Sequence, residues 1–204
     1  MTGIIFATEE EARPFLHSYR RGRFEGLTEG ETQHDDSILV SLTGSGKIKA
    51  TLRTERLLNQ YRLERILHVG TCTSLSDSFR VGTLVAASQV FEGDRIELAA
   101  PTYPRMPLEA PFEGLTTGTL VTQDHTIQGA SEHTYWQRIA DVIDMTGYAI
   151  AYVSAMHGVP CHIVKVVSGL IGREDAQLKR TLEQAHQSMS AWLSKELDRL
   201  AAHT

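Results

Sequence analysis

Cysteine is scarce in this chain of 204 residues: there are two, Cys72 and Cys161, far apart and in no C-x-x-C arrangement. That argues against a disulfide scaffold and a cysteine zinc site, and a reduced, cytoplasmic setting is the expectation. No apolar run is long enough to span a bilayer, so no membrane partner is expected. The first apolar residues follow no basic segment, so a signal peptide is not expected. Positive charge is also short: the formal net charge is −5, which argues against a nucleic-acid surface. One basic stretch, "YRRGR" at 19–23, reads as a solvated helix end or hairpin. The histidines show no H-E-x-x-H or paired ligand spacing, so no metal and no other cofactor is expected. G-x-S-x-G is absent, as are internal repeats and low-complexity tracts.

What remains is ordinary globular material, 41% hydrophobic and 22% charged, in a length that suits a single domain over 1–204. Buried strands are expected at 3–7, 37–44, 64–71, 82–91, 118–123 and 161–169, where short apolar runs end in turn residues. Helices are expected from Thr8 to about Tyr19, at 47–61, at 148–158 and at 175–202. Pro14 implies that the first of these is irregular or starts late. The last carries an apolar stripe of Leu182, Ala185, Met189, Leu193, Leu197 and Leu200. Pro101, Pro104, Pro107 and Pro111 make 100–114 a proline-rich loop, placed where it could serve as a lid.

Strands and helices alternate, and several strands are apolar on both faces. That pattern indicates an α/β domain with a largely parallel sheet covered by helices. Such sheets bind ligands beyond the carboxyl ends of their strands. "TEEE" (8–11), "TGSGK" (43–47), "GTCTS" (70–74), "DHT" (124–126), "DMTG" (144–147) and "SGLIG" (168–172) all follow expected strands, so they converge on one cleft.

Each has a plain structural reading beside a functional one. Thr8 and Glu11 match the capping box, and acids suit a first helical turn. "TGSGK" fails the P-loop pattern, because Ser41 replaces the first glycine and Ile48 the Ser or Thr after the lysine. It remains a turn and helix start, with backbone N–H groups able to face an anion. His125 reads as a surface or hydrogen-bonded histidine, or as a ligand contact. Cys72 lies near the cleft but has no partnered base in the sequence.

Taken in order, these segments resemble the methylthioadenosine/S-adenosylhomocysteine nucleosidases of the nucleoside phosphorylase superfamily. "GIIFATEEEARPFL" resembles the family's first strand and acidic helix start. "TGSGKIKAT" resembles "SGIGKVxA", "HVGTCTSL" resembles "NTGSAGGL", and "GTLVTQDHTI" resembles "GxIVSGDxFI". "VGTLVAASQVFEGD" resembles "VGDIVVSxxxxxxD". "IDMTGYAIAYVSAMHGVPCHIVKVVSG" resembles "VEMEAxAIAxVxxxxxVPFxxxRxISD". The resemblance implies a three-layer α/β/α sandwich with a mixed, largely parallel central sheet, a homodimer, and a nucleoside-like small molecule as ligand. It implies cleavage of the bond between ribose and a purine, in which one acid protonates the leaving base and another activates water.

By position, the resemblance makes Glu11 the water-activating catalytic residue. Met145 packs beside ribose, Ile127 recognises the base through its backbone, and Thr126 stands where an aromatic ring stacks. Thr71 and Ser45 complete the substrate-binding set. Thr146 replaces the glutamate that grips the ribose hydroxyls, and Gly169 replaces the aspartate that protonates the base. Glu174, Asp175, Asp124 and Asp144 are the nearest acids in sequence that could substitute. A strand continued past Asp144 would put it on one side with Thr146. The family's helix between the two middle strands is replaced by the proline-rich loop. Two functions stay open: an N-ribosyl-cleaving enzyme with altered groups, and a binding or assembly protein that keeps the fold alone.

Overall fold

The computed structural model describes residues 1–19, 24, 26–94, 103–171 and 178–202. Arg20, Arg21, Arg23, Pro101, Glu174, Asp175 and the side chain of Leu200 lie outside the described residues.

Strand β1 (Thr2–Phe6) is sealed on both faces from Gly3 onward. Its alternation sorts the molecule into layers. Ile4 and Phe6 join a core with Ala12 and Phe15 of α1 (Glu9–Ser18) and Ala185, Met189 and Leu193 of α5 (Leu178–Ala202). Ile5 joins the opposite core with Ala50 and Leu57 of α2 (Lys47–Gln60) and Ala149 and Ile150 of α4 (Gly147–Met156). The fold is therefore a three-layer α/β/α sandwich. Ala185, Met189, Leu193 and Leu197 of the α5 stripe are buried as their spacing implies, with Leu182 turned instead to a cavity.

The remaining elements are β2 (Thr32–His34), β3 (Ile38–Leu42), β4 (Arg65–Ser74), β5 (Leu84–Glu92), β6 (Arg105–Pro107), β7 (Thr116–Thr122), α3 (Gly129–Trp136), β8 (Val142–Asp144) and β9 (Cys161–Leu170). β1 pairs in parallel with β3 and β4, and β4 with β9. β9 runs antiparallel to β5, β5 parallel to β7, and β7 parallel to β8. β8 then returns antiparallel to the end of β4, through Thr73–Ile143 and Ser74–Val142. The pairings of β4, β9, β5, β7 and β8 thus close on themselves. Register shifts at Cys72/Thr73 and at Ala87/Gln89 supply the local bends that closure needs.

Four elements have little trace in the sequence. β2, β6 and β8 are three residues each, too short to show alternation. α3 buries only Trp136 and so has no apolar stripe. The proline-rich stretch is less irregular than expected. Arg105–Pro107 forms an edge strand on Gln89–Phe91, the one sheet position that tolerates proline. Phe112 beyond it packs edge-on against His162 and Trp192. None of 103–114 lines the cavity at the strand ends described below, so the described part of this loop does not cover it.

Pro14 does not break α1, which runs on to Ser18. Thr8 and Glu11 form the reciprocal capping box at its start. Phe15 on the next turn is fully buried, and this anchoring carries the helix past the backbone bond that Pro14 cannot make. β8 ends at Asp144 and Thr146 is the N-cap of α4. No continuing strand puts these two on one side; the turn between them does.

Candidate active site

A cavity of about 550 Å³ opens at the carboxyl ends of β1, β4 and β8 and is flanked by α1 and α5. Glu11, Ser45, Thr71, Thr126, Ile127, Met145 and Thr146 all line it. Segments more than a hundred residues apart in sequence therefore meet at one place. Gly169 is not part of its wall, and a Cβ built there meets nothing within 4 Å.

Glu11 is buried where the first turn of α1 meets β4. Its Oε1 accepts the Thr71 backbone N–H and the Thr71 hydroxyl, both at 2.7 Å. Its Oε2 accepts the N–H groups of Ala7 at 3.2 Å and Thr8 at 3.4 Å. A carboxylate offers about four acceptor positions, so these four donors occupy it. Gly70 is required beside it: a Cβ at Gly70 would stand 2.8 Å from Oε1. The capping box and the cavity wall are thus the same carboxylate, serving α1 and β4 together.

Lys165, buried in β9, forms the cavity floor. Its ammonium donates to Asp144 Oδ2 at 2.8 Å and to His68 Nε2 at 2.7 Å. His68 is fully buried, and its Nδ1 lies 2.9 Å from the Ile5 carbonyl. A carbonyl only accepts, so Nδ1 carries the proton and Nε2 is the acceptor that Lys165 meets. His68 is therefore neutral. Burial, then the Lys165 charge, press it below the ordinary imidazole value. Thr146 Oγ1 lies 3.0 Å from the same Nε2 and 3.3 Å from Asp144 Oδ2.

Asp144 ties three elements to this floor. The Thr122 hydroxyl at the end of β7 donates to it at 2.7 Å, and the Gly147 N–H at the start of α4 at 2.9 Å. Burial alone would raise its pKa, but the Lys165 ammonium outweighs that and holds the carboxyl below the usual range. Asp144 is thus an ionised structural carboxylate rather than a proton donor.

The other candidates separate clearly. Ser45 lines the cavity, but the Lys47 N–H beside it donates to Asp124 Oδ1 at 2.8 Å. The Lys47 ammonium pairs with Glu92 and Asp94. This helix start thus already has a protein carboxylate. Cys72 lines the cavity too, yet burial pushes its thiol far up, which suppresses a thiolate nucleophile. His186 of α5 is a cavity residue that the sequence reading missed. Burial lowers its pKa, partly opposed by Glu11 and Glu10.

Sequence reasoning also missed His68 and Lys165. The signal was present: each sits within a run that is apolar on both faces, "ERILHVGT" and "CHIVKVVSG". A lysine in a doubly covered strand has no route to solvent and needs a buried partner.

A family model described as the phosphorylase superfamily matches residues 2–117 and 112–202. The aminodeoxyfutalosine nucleosidase of Helicobacter pylori is 23% identical over 228 residues, covering 97% of this chain and 98% of that protein. The 5'-methylthioadenosine/S-adenosylhomocysteine nucleosidase of Bacillus cytotoxicus is 24% identical over 234 residues, with 97% and 98% covered. Among solved structures, the Helicobacter pylori 5'-methylthioadenosine/S-adenosylhomocysteine nucleosidase with butyl-thio-DADMe-Immucillin-A superposes with TM-score 0.78 at 19% identity, covering 97% of each chain. The corresponding Campylobacter jejuni enzyme gives 0.79 at 17% identity, covering 95% of this chain and 96% of that one.

Two outcomes follow from the buried charges. Lys165→Met strands Asp144 and is expected to cost about 3–5 kcal/mol in chemical unfolding, while adding Asp144→Asn returns part of the loss. Because the folded Asp144 value lies below its ordinary 3.8, the pair's contribution is present above that pH and lost on acidification through the folded value. Gly70→Ala is expected to displace Glu11 from Thr71 and lower stability by roughly 1–3 kcal/mol. In a Glu11→Ala background the same change should cost little, as a thermal-unfolding double-mutant cycle would report.

Proposed function

The chain belongs to the phosphorylase superfamily, and on that premise we propose that its cavity binds a nucleoside-like small molecule, the reaction of its lineage being cleavage of an N-ribosyl bond. The observation that carries this reading is the convergence of Glu11, Thr71, Met145, Thr126 and Ile127 on one cavity of about 550 Å³, a volume suited to a nucleoside-sized ligand. In this reading Met145 packs beside the sugar, Ile127 meets the base, and Thr146 offers its hydroxyl where a carboxylate would grip the ribose. Glu11 polarises water at the sugar only by giving up one of its present donors, the 3.4 Å bond from Thr8 being the weakest.

The leaving base receives no proton from Gly169. Absence of a positioned general acid lowers the rate by about 10²–10⁴-fold. Turnover of a neutral purine nucleoside is accordingly slow. A second reading, a binding or assembly protein without turnover, is favoured by the same occupancy of Glu11. Binding distinguishes both readings from a bare scaffold, and turnover distinguishes them from each other. The setting in this reading is cytoplasmic, which suits two buried free thiols.

The reading extends to a homodimer. Ile48 and Leu52 are one turn apart on α2 and exposed, as are Tyr152 and Met156 on α4, which packs beside it. Neighbouring exposed apolar pairs of this kind mark an association surface.

Thermal unfolding with adenine, adenosine or methylthioadenosine tests the ligand. At least one should stabilise the protein, by about 2.7 kcal/mol at a hundredfold excess over its Kd; no stabilisation by any of them overturns the reading. Adenine release from methylthioadenosine should be slow and should rise in Gly169→Asp, whose side chain meets open space. Light scattering should report twice the chain mass, and Leu52→Lys with Met156→Lys should return the monomer.

A further inference from the structure

Thr126 and Ile127 line the cavity, yet among the described residues neither makes a hydrogen bond. Their position is set by their neighbours. Gln123 N–H donates to the Asp144 carbonyl at 2.9 Å. Asp124 N–H donates to Asp94 Oδ2 at 2.8 Å, and Gln128 N–H to Glu132 Oε2 at 2.7 Å. Between these ties stands His125, itself a lining residue.

The His125 ring spans two carboxylates. Nδ1 lies 3.0 Å from Asp94 Oδ1, and Nε2 lies 2.8 Å from Glu132 Oε1. Ionised carboxylates only accept, so both ring nitrogens must donate, and the ring that makes both bonds is an imidazolium. A neutral ring has one N–H and keeps one bond. Asp94 follows β5 and Glu132 lies in α3, so the ring joins two separate elements across the segment that carries Thr126 and Ile127.

We propose that His125 is the positioning residue of this cavity wall: as an imidazolium it clamps the 123–128 segment between the end of β5 and α3, and loss of its proton releases Thr126 and Ile127 from the ligand-competent position. The charged groups around the ring are Asp94, Glu132, Asp124, Lys47 and Glu92. Lys47 pairs with Glu92 and Asp94 and lends its own N–H to Asp124. A neutral ring keeps one of its two bonds, and the ties of Asp124 to Asp94 and of Gln128 to Glu132 remain, so loss of the proton undoes only the ring's span between the two carboxylates.

The electrostatics run in the direction the clamp needs. The hydrogen bond to Glu132, then the charges of Glu132 and Asp94, raise the His125 pKa above the ordinary imidazole value despite some burial. The two-sided clamp is complete below the ordinary value, and one of its two bonds is lost as pH rises through the raised folded value. The consequence for the proposed ligand is weaker binding on the alkaline side, from Thr126 and Ile127 rather than from the ring itself.

The test is a nuclear magnetic resonance titration of the full chain, following the His125 ring and the Ile127 δ1 methyl group without any ligand. Both should move with one shared midpoint above 6.5, the ordinary imidazole value. Glu132→Gln and Asp94→Asn should each lower both midpoints together. His125→Arg, with its fixed charge, should hold the Ile127 signal at its low-pH position throughout, and His125→Gln at its high-pH position. An Ile127 signal that stays constant while His125 titrates, or a His125 midpoint at or below 6.5, overturns the proposal. Failure of every nucleoside to bind leaves this titration fully readable, so the two readings fail separately.

Discussion

The ion pair between Lys165 and Asp144 is the interaction on which the cavity depends. Both groups are almost wholly enclosed, with side chains 2% and 3% exposed. Taking two such charges out of water costs several kcal/mol per ion, on the order of what their attraction returns. The pair persists because every partner is polar and fixed: His68 Nε2 for the ammonium, and Thr122, Thr146 and Gly147 for the carboxylate. Through those bonds it joins the middle of β4, the ends of β7 and β8, the start of α4 and the centre of β9. A cluster of this kind is weak evidence for stability by itself. Its value here is geometric, since it fixes the floor of a cavity lined by residues from widely separated segments.

Above that floor the wall carries a second satisfied carboxylate. Glu11 answers to four donors from the turn before α1 and from β4, and this occupancy links two roles that the sequence leaves side by side. The capping box organises α1, and its acid is thereby held at the cavity at no further conformational cost. The same saturation restrains it as a base. In the proposed reading, the uncharged Thr146 and the absent side chain of Gly169 then make a site that holds a nucleoside-like ligand more readily than it drives the departure of a neutral purine.

Most of the architecture was legible from periodicity, because the long strands and helices bury whole faces. β1, β4 and β9 read as buried strands from "GIIFA", "ERILHVG" and "CHIVKVV", and α5 from its stripe. Elements with little burial were not legible. α3 buries Trp136 alone, and β2, β6 and β8 exist only because longer neighbours offer them an edge. Candidate residues that follow strands, Gly169 excepted, line the cavity because strand ends converge in such folds. Two residues inside strands were missed. His68 and Lys165 interrupt apolar runs without changing the strand pattern, and only pairing between β4, β8 and β9 brings their partners near. The closed circuit of strands was equally hidden, because it depends on register shifts that no composition reveals.

His125 shows the same limit at smaller scale. The acids that its ring bridges, Asp94 and Glu132, come from elsewhere in the fold. Floor, wall and His125 meet at one cavity, which the proposed function makes a single ligand site. A crystal structure grown with methylthioadenosine tests that most directly. Ligand density bounded by Thr71, Met145 and Ile127, above an intact pair of Lys165 and Asp144, is the expected result. An empty cavity in a crystal that holds the ligand at another place would contradict it.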